Sequence, residues 1–167
     1  MNITIRNERA QDIEEVQEIV ATAFETDAES RLVAALRANG KAIISLVAVS
    51  NGQVLGHILF SPVSTAPPSD AKGLGLAPVA VRPNIQSQGV GSQLIREGLR
   101  RCQELGYDYC VVLGAPKYYQ RFGFERASRF DIRNEYGVDD EFMIIRFSDR
   151  PLAGVAQYAS EFGMFSV

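Results

Sequence analysis

Apolar positions along this chain change period several times, and each change marks an element. Ile3 and Ile5 alternate with Asn2, Thr4 and Arg6, the two-residue period of a strand. Ile13, Val16, Ile19, Val20, Ala23 and Phe24 then recur at helical spacing, with Asp12, Glu14 and Glu15 in the opening turn, where a helix favours negative charge. A second helical stripe, Leu32, Val33 and Leu36 within Glu29–Ala38, runs into Asn39-Gly40, a good C-terminal stop. Two β-rich runs, Ile43–Val49 and Gln53–Phe60, flank Asn51-Gly52 and predict a hairpin. Ser61–Gly73, rich in proline and hydroxyl residues, predicts an exposed loop.

Leu74–Val81 reads as a strand interrupted by Pro78. Proline cannot donate to a ladder, and this strand feeds a crossover helix and so belongs inside the sheet; a bulge at Pro78 is the expected outcome. The helix opens at Gly89 or Val90, turns Val90, Leu94, Ile95, Leu99, Cys102 and Leu105 to the core, and stops at Gly106. Tyr107–Leu113, short and β-branched, predicts a buried strand and completes a βαβ unit with two parallel strands. Gly114–Phe124 predicts a short helix stopped at Gly123, and the acidic stretch Asp131–Glu141 a loop. Phe142–Phe147 predicts a further strand, and the tail to Val167 has room for one more. No repeat or linker divides the chain, so the expectation is one α/β domain over residues 1–167. Its mixed central sheet of about six or seven strands has a bulged, splayed central strand and about four flanking helices.

Composition narrows the function classes. The 167 residues carry a formal net charge of −3, which argues against a nucleic-acid partner. The two cysteines, Cys102 and Cys110, fit no zinc spacing and read as reduced core residues, and a single histidine makes a metal site less favourable still. No apolar run has the length of a membrane span, and the N-terminus alternates like a strand rather than a targeting peptide. A cytoplasmic protein without a metal, monomeric or homodimeric, is the expectation.

The chemistry concentrates in Val79–Ile95, where a strand ends at Arg82-Pro83, a short polar loop follows, and Gly89 and Gly91 open a helix. Strand, glycine loop and helix N-terminus leave backbone N–H groups pointing at an anion. A phosphate-binding P-loop is excluded, because the one Gly-Lys pair, Gly40-Lys41, is followed by Ala42 and preceded five positions back by Ala35. The dinucleotide fingerprint lacks its third glycine, that position being Leu94. Glycines that merely turn the chain are the bland alternative, although a plain turn seldom needs two of them at a helix mouth.

The run Gln86-x-x-Gly89-x-Gly91, directly after Val81-Arg82-Pro83, resembles the coenzyme A pyrophosphate loop of the GNAT superfamily of N-acetyltransferases. Tyr119-Gln120-Arg121-Phe122-Gly123-Phe124 is similar to that family's second landmark, a tyrosine four residues before a Gly-Phe pair. The element order agrees along essentially the whole chain. The resemblance implies that backbone N–H groups of Gln88, Gly89, Val90, Gly91 and Ser92, beside Gln86, hold the pyrophosphate of acetyl-CoA. It also implies that the pantetheine arm pairs with the strand edge at Pro78, Val79, Ala80 and Val81, with an N–H of Val79 or Ala80 meeting the acyl oxygen. Tyr119 is then the general acid at the coenzyme A sulfur.

The base that deprotonates the acceptor has several candidates. His57 lies on the strand after the hairpin and has the residue type that titrates near neutrality. Glu25 and Glu29, at the junction of the first two helices, fall where acceptor-site residues often fall in this superfamily; a water chain without a single base is a further option. The stretches Ser61–Gly73 and Asp131–Glu141 are natural walls of an acceptor site, and Asp131, Glu135, Asp139, Asp140 and Glu141 suit a cationic amine. The expected function is acetyl transfer to a primary amine of a small molecule or peptide, by direct attack in a ternary complex. A non-catalytic acyl-CoA-binding or sensing module is the alternative, and the presence of Tyr119 favours the enzyme.

Overall fold

A computed structural model describes residues 2–164. Among the described residues, nine strands belong to one mixed sheet and five α-helices accompany them. Contacts group the chain into two units. The first takes the described residues up to Ser61, Ala77–Gly98 and those from Ser160, and the second takes Pro62–Leu76 and Leu99–Ala159.

In the first unit, strand β1 (Thr4–Asn7) pairs antiparallel with β2 (Ile44–Ser50), and β2 with the first part of β3 (Gln53–Ala66). Asn51 and Gly52 carry φ of 51° and 74°, the double left-handed turn that an Asn-Gly hairpin needs. The register slips between Ala48 and Val49, so that Val49 faces Val54 while Ala48 faces Gly56, and Leu55 is the extra residue of a bulge. Helix α1 (Ile13–Ala23) buries Val16, Ile19 and Val20, and α2 (Ala28–Ala38) buries Leu32, Val33 and Leu36, the stripes their periodicity predicts. A single 3-10 turn precedes α1, and Arg6 clamps it with two bonds to the Asp12 carboxylate at 2.6 and 3.1 Å. The short helix α5 (Glu161–Met164) is tied down by buried Glu161, which accepts from Asn39 at 2.6 Å and Lys41 at 2.9 Å. Those donors hold its carboxyl down at about 2.

In the second unit, the start of β4 (Gly73–Val81) pairs parallel with β5 (Tyr109–Leu113) over Gly73–Gly75, and β5 pairs antiparallel with β8 (Phe142–Arg146). Close approach explains two glycines: a Cβ on Gly73 would lie 2.1 Å from the Tyr109 ring, and one on Gly75 would lie 2.5 Å from the Tyr158 ring. Two short strands, β6 (Glu125–Arg126) and β7 (Ile132–Asn134), pair with β8 and with β9 (Gly154–Tyr158). The remaining helices are α3 (Val90–Glu104) and α4 (Pro116–Gln120). No described helix is long and apolar enough to cross a membrane.

Several expectations need correction. The sheet has more strands than expected, and a fifth helix closes the described chain. Ser61–Gly73 is not all loop, because β3 continues to Ala66 and pairs Val63–Ala66 with β9. Val63 and Thr65 are buried and Ser64 and Ala66 exposed, a strand period, and Pro62 falls where β3 has left β2 and not yet met β9. Asp131–Glu141 likewise contains β7, whose Ile132 and Asn134 face inward. Leu105 is 55% exposed because α3 ends one residue before it. The tail supplies β9 and α5, and residues 165–167 lie outside the described residues.

Candidate active site

The glycine loop begins where β4 leaves the sheet. Pro83–Ile85 make a single 3-10 turn, closed by the Ile85 N–H on the Arg82 carbonyl at 3.0 Å. The Gln86 side-chain amide donates back to the Val81 carbonyl at 3.3 Å, bracing the turn. Ser87 and Gly89 then take φ of 65° and 86°. A Cβ on Gly89 would meet nothing within 4 Å, so Gly89 is required for its left-handed backbone and faces open space. The first bond of α3 runs from the Gln93 N–H to the Gly89 carbonyl at 3.1 Å, so the N–H groups of Gly89, Val90 and Gly91 point out of the helix end. Gln86 to Gly89 are exposed, whereas Val90 and Ser92 are buried and fix the first turn. An exposed loop with positive φ at the mouth of a fifteen-residue helix fits a phosphate group.

Upstream, in the same unit, Val79 and Val81 are half-buried and Ala80 is buried. The Ala80 carbonyl lies 2.9 Å from where a Gly56 Cβ would be, with Leu94 and Val90 of α3 at 3.2 and 3.3 Å. Gly56 therefore lets β4 and α3 close against β3.

In the second unit, Tyr119 is buried on α4, with its ring edge-on to Tyr118 at 5.1 Å and to Phe124 at 5.7 Å. Gly114 seats it, since a Cβ there would lie 2.2 Å from the ring. Burial first, then the neighbouring Tyr118 and Cys110, push the phenol up to about 12, so it stays protonated at neutral pH. Tyr118 is half-buried and packs on Phe122.

The candidate bases differ in setting. His57 is fully enclosed, with Nε2 2.8 Å from the Ser45 hydroxyl and 3.9 Å from Glu8 Oε2, while Arg37 holds Glu8 through two bonds at 2.7 and 3.2 Å. Burial, with the Arg37 charge, pulls His57 down to about 3. Glu29, in the first turn of α2, is half-buried, and its Oε1 is shut from solvent with no hydrogen-bond partner. Glu25 is exposed. In the acidic stretch of the second unit, Asp131, Glu135 and Glu141 are exposed, and Arg126 pairs with Asp140 at 3.1 Å and Asp139 at 4.0 Å.

A family model described as an acetyltransferase (GNAT) domain matches residues 4–127. The chain belongs to the GNAT acetyltransferase family. The curated relatives of this chain include N-acetyltransferases. One is the uncharacterized N-acetyltransferase YhbS of Escherichia coli (strain K12), 39% identical over 96% of this chain and 99% of the relative. A crystal structure of a GNAT family N-acetyltransferase (YhbS) from Escherichia coli in complex with CoA is similar with a TM-score of 0.91 at 36% identity, covering 98% of this chain and 93% of that one. A GNAT family acetyltransferase from Brucella melitensis in complex with acetyl-CoA gives 0.83 at 36% identity, covering 96% and 98%. Gly114 and Gly56 shape these settings without having been expected to. Gly114 follows directly on the β5 run, a readable signal, whereas Ala80, Val90 and Leu94, which crowd Gly56, are distant from it in sequence.

Proposed function

We propose that this chain transfers an acetyl group from acetyl-CoA to a primary amine by direct attack in a ternary complex. The observation that carries the proposal is the exposed, left-handed Gly89 at the mouth of α3. Backbone N–H groups of Gln88, Gly89, Val90 and Gly91, with Ser92 in the first turn, hold the pyrophosphate, and Gln86 braces the loop. Edge groups of Val79, Ala80 and Val81 pair with the pantetheine arm as an added strand would. An N–H of Val79 or Ala80 directed at the acyl oxygen is worth about 2.7–4 kcal/mol. Bound acetyl-CoA supplies the thioester. The amine nitrogen forms its bond to the acyl carbon, the C–S bond breaks, the amine loses a proton and the sulfur gains one.

Tyr119 donates to the sulfur. A phenol near 12 is a weaker acid than a thiol near the ordinary ~8.5, so its main contribution is a fixed hydrogen bond to the developing charge. Among the base candidates, Glu29 is favoured over His57 and over exposed Glu25. A solvent-shut carboxylate oxygen without a partner is costly, and an incoming ammonium would satisfy it. His57 is enclosed and already bonded to Ser45. We take residues 1–167 as one catalytic domain, in keeping with the YhbS relative, which matches 96% of this chain over 99% of its own length. The free, buried Cys102 and Cys110 suit a reducing, cytoplasmic setting.

The test is thiol release from acetyl-CoA against small amines, amino acids and peptide N-termini, alongside thermal melts. Acetyl-CoA raises Tm, NAD and ATP do not, and one amine class releases thiol. Stabilisation by NAD alone overturns the cofactor, and stabilisation by acetyl-CoA with silence across the panel favours a binding module.

A further inference from the structure

We infer that Arg82 is a positioning residue for the pyrophosphate loop, and that its charge is held away from the phosphates. The inference rests on the acetyl-CoA reading of that loop. Arg82 stands at the last step before the 3-10 turn, and two separate sets of bonds fix it. Its backbone N–H donates to the Leu55 carbonyl at 2.9 Å. Leu55 is the extra residue of the β2–β3 bulge, so the bulge has a use: it offers a carbonyl, beyond the hairpin ladder, to the exit of β4. Its side chain donates from Nε to the neighbouring Val54 carbonyl at 2.7 Å. The guanidinium then meets Glu15 Oε2 at 3.3 Å and Glu18 Oε1 at 3.7 Å on α1, and the same Glu15 oxygen accepts the Val54 N–H at 3.2 Å.

Arg82 therefore joins β4, β3 and α1 at one point, immediately ahead of the residues that must present their N–H groups together. Both ends of the loop are then anchored. Arg82 holds the entry to the bulge, and Gly56 lets Val90 and Leu94 pack the exit. Lysine cannot replace this arrangement, because one ammonium lacks the planar set of donors that reaches a carbonyl and two carboxylates at once. Glu15 and Glu18 also neutralise the cation locally, which a phosphate ligand would not need.

The two roles for Arg82 predict opposite signs for Glu15. If Arg82 positions the loop, Glu15→Gln loosens the clamp and weakens acetyl-CoA binding. If Arg82 is a direct phosphate ligand, Glu15→Gln frees its charge and tightens binding. For the positioning role, Arg82→Gln and Arg82→Lys each raise the acetyl-CoA KM by about tenfold, the scale of one lost charged hydrogen bond, with kcat changed by less than about twofold. Glu15→Gln shifts KM in the same direction, and the double variant adds little, because both changes break one clamp. Hydrogen exchange on the free protein gives a readout that needs no cofactor. Amides of Ile85 and Gln93, bonded at the two ends of the loop, exchange faster in Arg82→Gln, while those of the Asn51-Gly52 hairpin do not. Tighter binding by Glu15→Gln, unchanged KM in Arg82→Gln, or unchanged loop exchange overturns the inference. A wild-type chain that fails to bind acetyl-CoA overturns instead the function proposed above.

Discussion

The setting of Tyr119, the acid of the proposed mechanism, comes from what presses on it. Gly114 leaves room for the ring, Tyr118 and Phe124 meet it edge-on, and the resulting burial keeps the phenol protonated up to about 12. A protonated donor of fixed direction is useful where charge develops on sulfur, and useless as a base. Tyr119→Phe should lower kcat by roughly a hundredfold with the acetyl-CoA KM preserved, the low end of what a positioned acid contributes. Gly114→Ala should reproduce that pattern, since the new methyl group displaces the ring while leaving the glycine loop alone. Wild-type kcat should show no loss belonging to Tyr119 until alkaline pH close to its own value of about 12. Turnover unaltered in Tyr119→Phe would remove it from the chemistry.

At the scale of elements, the loop and its helix work as one part. Gly89→Val places a branched side chain at φ of 86°, where any L-residue loses at least about 1–2 kcal/mol, yet the open space around it gives no clash. The fold should survive, with a modest fall in Tm, while acetyl-CoA binding measured by calorimetry is lost; retained affinity would mean that the glycine only turns the chain. The backbone around Gly89 was legible because a strand end, a turn and a helix mouth lie within one short stretch. The hairpin at Asn51-Gly52 and the apolar stripes of α1, α2 and α3 were legible for the same reason. The extension of β3 to Ala66 was not, because Val63–Ala66 become a strand only by finding β9 almost a hundred residues later. Ile132–Asn134 were hidden in an acidic stretch for a like reason, their partner being β9. Arg82 in the sequence is one more cation before a proline, and its meaning appears only when Val54, Leu55 and Glu15 are brought to it.

For the molecule as a whole, the informative residue is His57. It is sealed among Ser45, Glu8 and Arg37, and burial with the Arg37 charge pulls it down to about 3 from the ordinary unfolded value of about 6.5. Above the unfolded value both states are neutral there, and the histidine adds no pH dependence. As pH falls below it, the unfolded chain takes up a proton that the folded chain refuses. Unfolding then becomes easier by up to about 1.4 kcal/mol per pH unit, until the folded value is reached. Asp12 and Glu161 act lower down. Their carboxyls are held below the ordinary range by Arg6 and by Lys41 with Asn39, so their stabilisation is complete above the unfolded carboxylate values and is lost as pH drops toward the folded ones. Between the unfolded histidine value and the unfolded glutamate value of 4.5, His57 is therefore the group expected to set the slope. Urea unfolding at a series of pH values across that window should show stability falling in the wild type and nearly flat in His57→Gln, which keeps a hydrogen-bond partner for Ser45. Equal slopes would show that His57 is protonated in the native state. The same variant bears on catalysis, because a histidine that stays neutral down to about 3 gives no acid limb near 6.5 in kcat. Such a limb, present in the wild type and absent from His57→Gln, would transfer the role of base from Glu29 to His57.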